Sequence, residues 1–208
     1  MQRQTRVKIC GITRVDQSRA ISDAGADAIG IVFFEPSPRS VMDLTLAADI
    51  AAAAGPFTNV VGLFVDGDES LIANVLKSVS LDCLQFHGEE SPSFCQSFDR
   101  PYMKALRMKP GLDVRDQIQE HRHARGILLD TYVKGVPGGT GERFDWQDVP
   151  HNTDVPIVLA GGLDKDNVSS AVDIAKPYAV DVSGGVENGP GDKNLELVRA
   201  FISNAKSE

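Results

Sequence analysis

An alternation constrains this chain more than any single motif. Eight short apolar runs, rich in β-branched residues, recur along it: "RVKIC", "DAIGIVFF", "NVVGLFV", "DCLQFH", "PYMKALR", "RGILLD", "VPIVLA" and "YAVDVSGG". Stretches with helical spacing lie between them, at 15–24, 44–54, 71–79, 167–175 and 195–205. Strands separated by helices imply a parallel sheet, because parallel neighbours need crossover connections that a tight hairpin cannot supply. Eight such units in 208 residues fit a single α/β domain spanning 1–208, a (β/α)8 or TIM barrel. An open doubly wound sheet is the competitor; it would place a GxGxxG turn after the first strand, where this chain has "CGIT". After the sixth run the helical pattern weakens, and a Gly-rich loop and the short "FDWQDV" take the place of a helix.

Alternate residues on a strand face opposite sides. Val7 and Ile9 therefore share one face and Lys8 and Cys10 the other; Leu84 and Phe86 oppose Gln85 and His87; Val180 and Val182 oppose Asp181 and Ser183. Helices wrapped round a barrel need apolar partners, so the polar series turns inward and converges on the C-terminal mouth, where active sites of this fold lie.

A formal net charge of −8 disfavours generic binding to nucleic acid, whose phosphates recruit basic surfaces. No stretch reaches the roughly 20 apolar residues of a membrane span, and no secretory leader precedes the first strand, so a soluble cytoplasmic protein is expected. The three cysteines lack CxxC spacing and a His-rich companion, which points to free thiols rather than disulfides or a metal site.

Cys10 ends the first strand and Asp130 the sixth, and these strands are not neighbours in an eight-strand ring. A thiol and a carboxyl facing each other across the mouth suit a base and an acid acting on opposite sides of one small substrate. The alternative for Cys10 is that of any small buried hydrophobe, as for Cys83 and Cys95; for Asp130 it is a rim carboxylate. Lys8 shares the face of Cys10, with Asp181 expected beside it, and is a candidate for raising the thiolate fraction. His87 either lines the site or caps its strand. Arg39, set between prolines and a helix, is either a solvated charge or a clamp for a carboxylate. "LAGGLDKDNV" and "VSGGVENGPGDK" follow strands seven and eight, where such barrels bind phosphate through backbone N–H groups; Gly162, Ser183, Gly184 and Gly185 are the candidates. "GGTG", 138–141, is either a turn or a lid.

In order and over nearly the whole chain, "KICGIT", "SPR", "VGLFV", "QFHG", "LLDT" with "GGTG" and "FDW", "LAGGL" with "DNV", and "VDVSGGVE" resemble the N-(5'-phosphoribosyl)anthranilate isomerase family. The resemblance implies an Amadori rearrangement in tryptophan biosynthesis, without cofactor or metal, on a small phosphosugar-anthranilate substrate. It implies Cys10 as general base, Asp130 as general acid, Arg39 at the anthranilate carboxylate, and the two glycine corners at the phosphate. Gly184 stands where the family commonly has a second Ser, which keeps the amide and loses a hydroxyl; Asn194 stands where an Asp is usual. Three other readings compete: the histidine-pathway aminoaldose isomerase, which uses paired aspartates; a barrel that binds a phosphorylated metabolite without turnover; and a thiol nucleophile. The oligomeric state is not legible.

Overall fold

The first and last apolar runs meet. In the computed structural model, which describes residues 4–131 and 144–207, β1 (Arg6–Cys10) runs parallel to β8 (Ala179–Val182), with Lys8 beside Asp181. That pairing closes a barrel of eight parallel strands in chain order, through β2 (Ala28–Val32), β3 (Asn59–Phe64), β4 (Cys83–Phe86), β5 (Tyr102–Met108), β6 (Gly126–Thr131) and β7 (Ile157–Leu159). Each strand falls within its apolar run or extends one residue past it.

Helices α1 (Val15–Asp23), α2 (Leu44–Ala52), α3 (Glu69–Ser78), α4 (Pro92–Gln96), α5 (Val114–Glu120), α6 (Val168–Ala175) and α7 (Leu195–Lys206) provide the crossovers and the closing layer. A single 3-10 turn, Trp146–Asp148, is the helical element described between β6 and β7. The spacing did not foretell α4 and α5, which are short. Both begin on capping side chains: Ser91 Oγ accepts from the Phe94 N–H, and Asp113 accepts from the amides of Arg115 and Asp116. Asn194 caps α7 in the same way, accepting from the amides of Glu196 and Leu197. Asn and Asp are equivalent caps, so the departure at this position is structurally neutral.

The predicted parity appears as separate layers of core. Val7, Ile9, Val180 and Val182 join the outer cluster with helix residues such as Ile21, Ile50, Ile72 and Phe201. Inside the barrel, Ala105, Leu128, Val158, Ala160 and Ala179 form one cluster and Cys10, Val32 and Leu63 another. The interior is thus filled with side chains up to a floor, above which the mouth opens. Past β8 the chain forms a small antiparallel hairpin, β9 (Glu187–Gly189) and β10 (Asp192–Lys193), before α7. Among the described residues no helix is long and apolar enough to cross a membrane.

Candidate active site

A cavity of about 770 Å³ occupies the mouth and is lined by Cys10, Arg39, His87, Asp130, Asp181 and the loops after β7 and β8, including Gly162, Ser183, Gly184 and Gly185. Nine of the ten residues singled out from the sequence therefore reach one cavity. Lys8 does not line it: this side chain lies below the floor, in an ion pair whose Nζ donates to both carboxylate oxygens of Asp181 at 3.0 and 3.1 Å. The 138–141 segment lies outside the described residues.

Backbone without side chains clears space for both candidate reacting groups. A Cβ on Gly30, beside Cys10 in the β1–β2 pair, would stand 2.7 Å from the Cys10 Sγ and 3.1 Å from Lys8 Nζ. Gly161, at φ +84°, would carry a Cβ 2.6 Å from the Thr131 nitrogen and 2.9 Å from Asp130 Oδ1. Its left-handed conformation and the absence of room both require glycine.

Burial pushes the Cys10 thiol above its ordinary value of 9; the charge and hydrogen bond of Lys8 pull it back down, and Asp181 pushes it up again. Lys8 is buried too, yet the Asp181 carboxylate overcomes the cost of burial and holds the amine charged, above its ordinary range. The lysine favours thiolate, as expected from the sequence, but its carboxylate partner and the dry surroundings outweigh it. Cys83 and Cys95 are also buried free thiols, raised by burial to about 11 and about 12.

Across the cavity Asp130 Oδ1 accepts from the Thr131 N–H at 2.8 Å, while Oδ2 lies 3.2 Å from His87 Nε2. The other ring nitrogen of His87 lies 3.0 Å from Gln85 Nε2.

Arg39 is held by a residue that sequence reasoning missed. Its Nε and Nη2 donate to the Glu187 carboxylate at 2.7–3.1 Å, and Lys193 Nζ donates to the same carboxylate at 2.6 Å. Although burial works against its charge, Glu187 is kept below its ordinary 4.5 by Arg39 and Lys193. Lys193 also donates to the Ser183 carbonyl and hydroxyl, and the Ser183 hydroxyl in turn donates to the Cys10 carbonyl at 3.0 Å. One network thus ties the hairpin, the end of β8 and the end of β1 together. Glu187 lies 148 residues from Arg39, so only barrel closure brings the pair together, and no local pattern announces it.

The two glycine corners touch. A Cβ on Gly185 would overlap the Leu163 carbonyl oxygen, so the loops after β7 and β8 pack backbone to backbone at the rim. A Cβ on Gly184 would meet only Arg39 Nη2, at 3.4 Å. A side chain at this position would rest against the guanidinium.

Comparison with known proteins shows the family. The family described as N-(5'phosphoribosyl)anthranilate (PRA) isomerase matches residues 7–204. The N-(5'-phosphoribosyl)anthranilate isomerase of Pseudomonas syringae pv. tomato is 53% identical over 95% of this chain and 96% of its own length. That of Pseudomonas aeruginosa is 54% identical, over 97% and 95%. Among solved structures, phosphoribosyl anthranilate isomerase from Thermotoga maritima superposes with a TM-score of 0.89 at 38% identity, covering 97% of this chain and 98% of its own. A phosphoribosyl anthranilate isomerase in complex with reduced 1-(o-carboxyphenylamino)-1-deoxyribulose 5-phosphate matches with a TM-score of 0.85 at 36% identity, over 97% and 98%. With its closed barrel, its cavity at the C-terminal mouth and these matches over nearly its whole length, the chain belongs to the N-(5'-phosphoribosyl)anthranilate isomerase family.

Proposed function

We propose that this enzyme converts N-(5-phosphoribosyl)anthranilate to 1-(2-carboxyphenylamino)-1-deoxyribulose 5-phosphate, an Amadori rearrangement in cytoplasmic tryptophan biosynthesis, with Asp130 as general acid and Cys10 as general base. The observation that carries this reading is that the two groups, from non-neighbouring strands β6 and β1, line one cavity together with a guanidinium and two touching glycine corners. Asp130 gives a proton to the ribose ring oxygen as the bond from that oxygen to C1' breaks. The lone pair of the anthranilate nitrogen forms the C=N bond, leaving a protonated Schiff base. Cys10, as thiolate, removes the C2' proton; the freed electron pair forms C1'=C2' and neutralises the nitrogen. The enolamine then loses its hydroxyl proton and gains one at C1', giving the aminoketone. Because the iminium is the electron sink, the chemistry calls for no cofactor.

The raised Cys10 thiol fits this sequence of events. A cation is produced beside it in the first step, and an opposite charge nearby favours the ionised form of a thiol. The base is thus generated when the substrate needs it. Arg39 has one edge occupied by Glu187; its Nη1 side is left for the anthranilate carboxylate, which a guanidinium binds in a bidentate fork. The amides of Gly162, Ser183, Gly184 and Gly185 bind the phosphate, a backbone mode that does not need the hydroxyl missing at Gly184.

The test is turnover of the substrate, generated in place from anthranilate and phosphoribosyl pyrophosphate. Cys10→Ala and Asp130→Asn should each lose about 10²–10⁴-fold in kcat, the usual contribution of a positioned acid or base, while keeping the wild-type circular dichroism. An inert wild type would sink the substrate assignment. Full activity in either variant would remove that residue from its role.

A further inference from the structure

We infer that Gln85 is a positioning residue which holds His87 in its Nε2–H tautomer, so that His87 donates a hydrogen bond to Asp130. Gln85, His87 and Asp130 form a chain across the barrel interior, with contacts of 3.0 Å from Gln85 Nε2 to His87 Nδ1 and 3.2 Å from His87 Nε2 to Asp130 Oδ2. A neutral imidazole carries its proton on one nitrogen only. The carboxamide nitrogen of Gln85 is a donor, so Nδ1 must be the bare nitrogen and Nε2 the protonated one. The N–H of Nε2 then points at Asp130, the acceptor suited to it. Each donor in the chain aims the same way, toward the carboxylate.

Two further observations separate this arrangement from an incidental contact. Gln85 is fully buried, and its Oε1 has no hydrogen-bond partner, a cost that barrel interiors seldom tolerate without a reason. Were Gln85 there only to fill space, an apolar side chain of its shape would serve better. The backbone carrying His87 is also pinned. Glu90 accepts from the amides of Gly88 and Asp66, and Lys104 Nζ donates to Glu90 and to the Gly88 carbonyl at 2.7 and 2.6 Å. With that loop fixed, the ring is held by its two side-chain contacts, Gln85 at Nδ1 and Asp130 at Nε2.

For the reaction proposed above, on which the kinetic part of this inference rests, a neutral donor at Oδ2 orients the carboxyl and stabilises the carboxylate left once the proton has gone to the ring oxygen. No second positive charge is created beside the developing iminium.

Nitrogen-15 NMR of the full chain tests this directly. The four histidines are few enough that His87 is assigned from the signal lost in His87→Asn. In the wild type at neutral pH, Nε2 should carry the proton and Nδ1 should show the bare, pyridine-type resonance. Gln85→Met should keep the fold and match or exceed the wild-type Tm, yet give mixed tautomers, a kcat lower by about tenfold and a KM within about threefold. Gln85→Glu, whose carboxylate accepts, should move the proton to Nδ1. A wild-type spectrum with Nδ1 protonated overturns the inference, as does a Gln85→Met protein with unchanged tautomer or unchanged kcat. If Gln85→Glu does not fold, the wild-type and Gln85→Met spectra decide. If the wild type keeps the Nε2–H tautomer but does not turn over the substrate, the proposed reaction fails while the tautomer assignment stands.

Discussion

The two sides of the mouth hold Cys10 and Asp130, the proposed base and acid, by different means. Around Cys10 the surroundings are dense in charge: Lys8 is paired with Asp181, and Arg39 and Lys193 share the one carboxylate of Glu187. Around Asp130 the side chains in the chain from Gln85 through His87 stand at hydrogen-bond distance from one another and from the carboxylate. Burial, with Asp181 beside it, thus holds the Cys10 thiol above its ordinary value against the pull of Lys8, whereas Asp130 is held by hydrogen-bond geometry. Substitutions on the two sides should accordingly fail in different ways. Among the supporting residues, those around Cys10 should cost stability and binding and those behind Asp130 should cost turnover.

The largest effect expected from this contrast is on stability. Lys8→Met strands the Asp181 carboxylate in a dry site, and breaking a buried pair from one side costs about 3–5 kcal/mol. Denaturant unfolding should register that loss, and Lys8→Met/Asp181→Leu should recover most of it, because removing both charges also removes the unpaired one. If the single variant loses less than about 1 kcal/mol, the Lys8–Asp181 pair is not what holds β1 to β8.

A smaller effect belongs to Glu187. Glu187→Gln weakens the charged fork that aims Arg39, so KM for the substrate should rise about tenfold, equivalent to about 1.4 kcal/mol, with kcat within about threefold. A fall in KM would mean instead that Glu187 competes with the substrate carboxylate for the guanidinium. The same variant has a pH signature. Glu187 is held below its ordinary 4.5, so its contribution to stability is present above that value and is lost as pH falls through the lowered one. Glu187→Gln should flatten the acid limb of the stability profile over that interval.

Much of this was legible before any coordinates, for local reasons. A strand is short and apolar, its parity is strict, and its end is marked by a turn, so Cys10, Asp130 and the inward faces of β1, β4 and β8 follow from neighbouring residues alone. The two glycine corners were legible as turns at known stations. Partners contributed by distant segments were not. Arg39 and Glu187 meet only after closure and Gly161 and Asp130 only once β6 and β7 pair, and nothing in a local run of residues encodes who stands opposite. Gln85 was visible as an inward residue, but its bond to His87 depends on side-chain rotamers that periodicity does not describe. The short helices α4 and α5 escaped because five and seven residues hold too few turns to establish a period, though Ser91 and Asp113 marked where they begin.

The smallest expected effect isolates what position does to a thiol. Cys83 and Cys10 are both buried inside the barrel, and Lys8 lowers the pKa of each. They differ in height. Cys10 is the last residue of its strand and opens into the cavity, whereas Cys83 is the first of β4 and does not line it. Cys83→Ala should therefore leave kcat and KM within about twofold of wild type. Alkylation should separate the two in the intact protein: Cys10 should react first, at a rate that keeps climbing above pH 9, and substrate should protect it, while Cys83, raised to about 11, should lag until the protein unfolds. Equal reactivity would show that solvent reaches the bottom of the barrel as readily as its mouth, and the chemical difference between the two thiols would then have to come from charge alone.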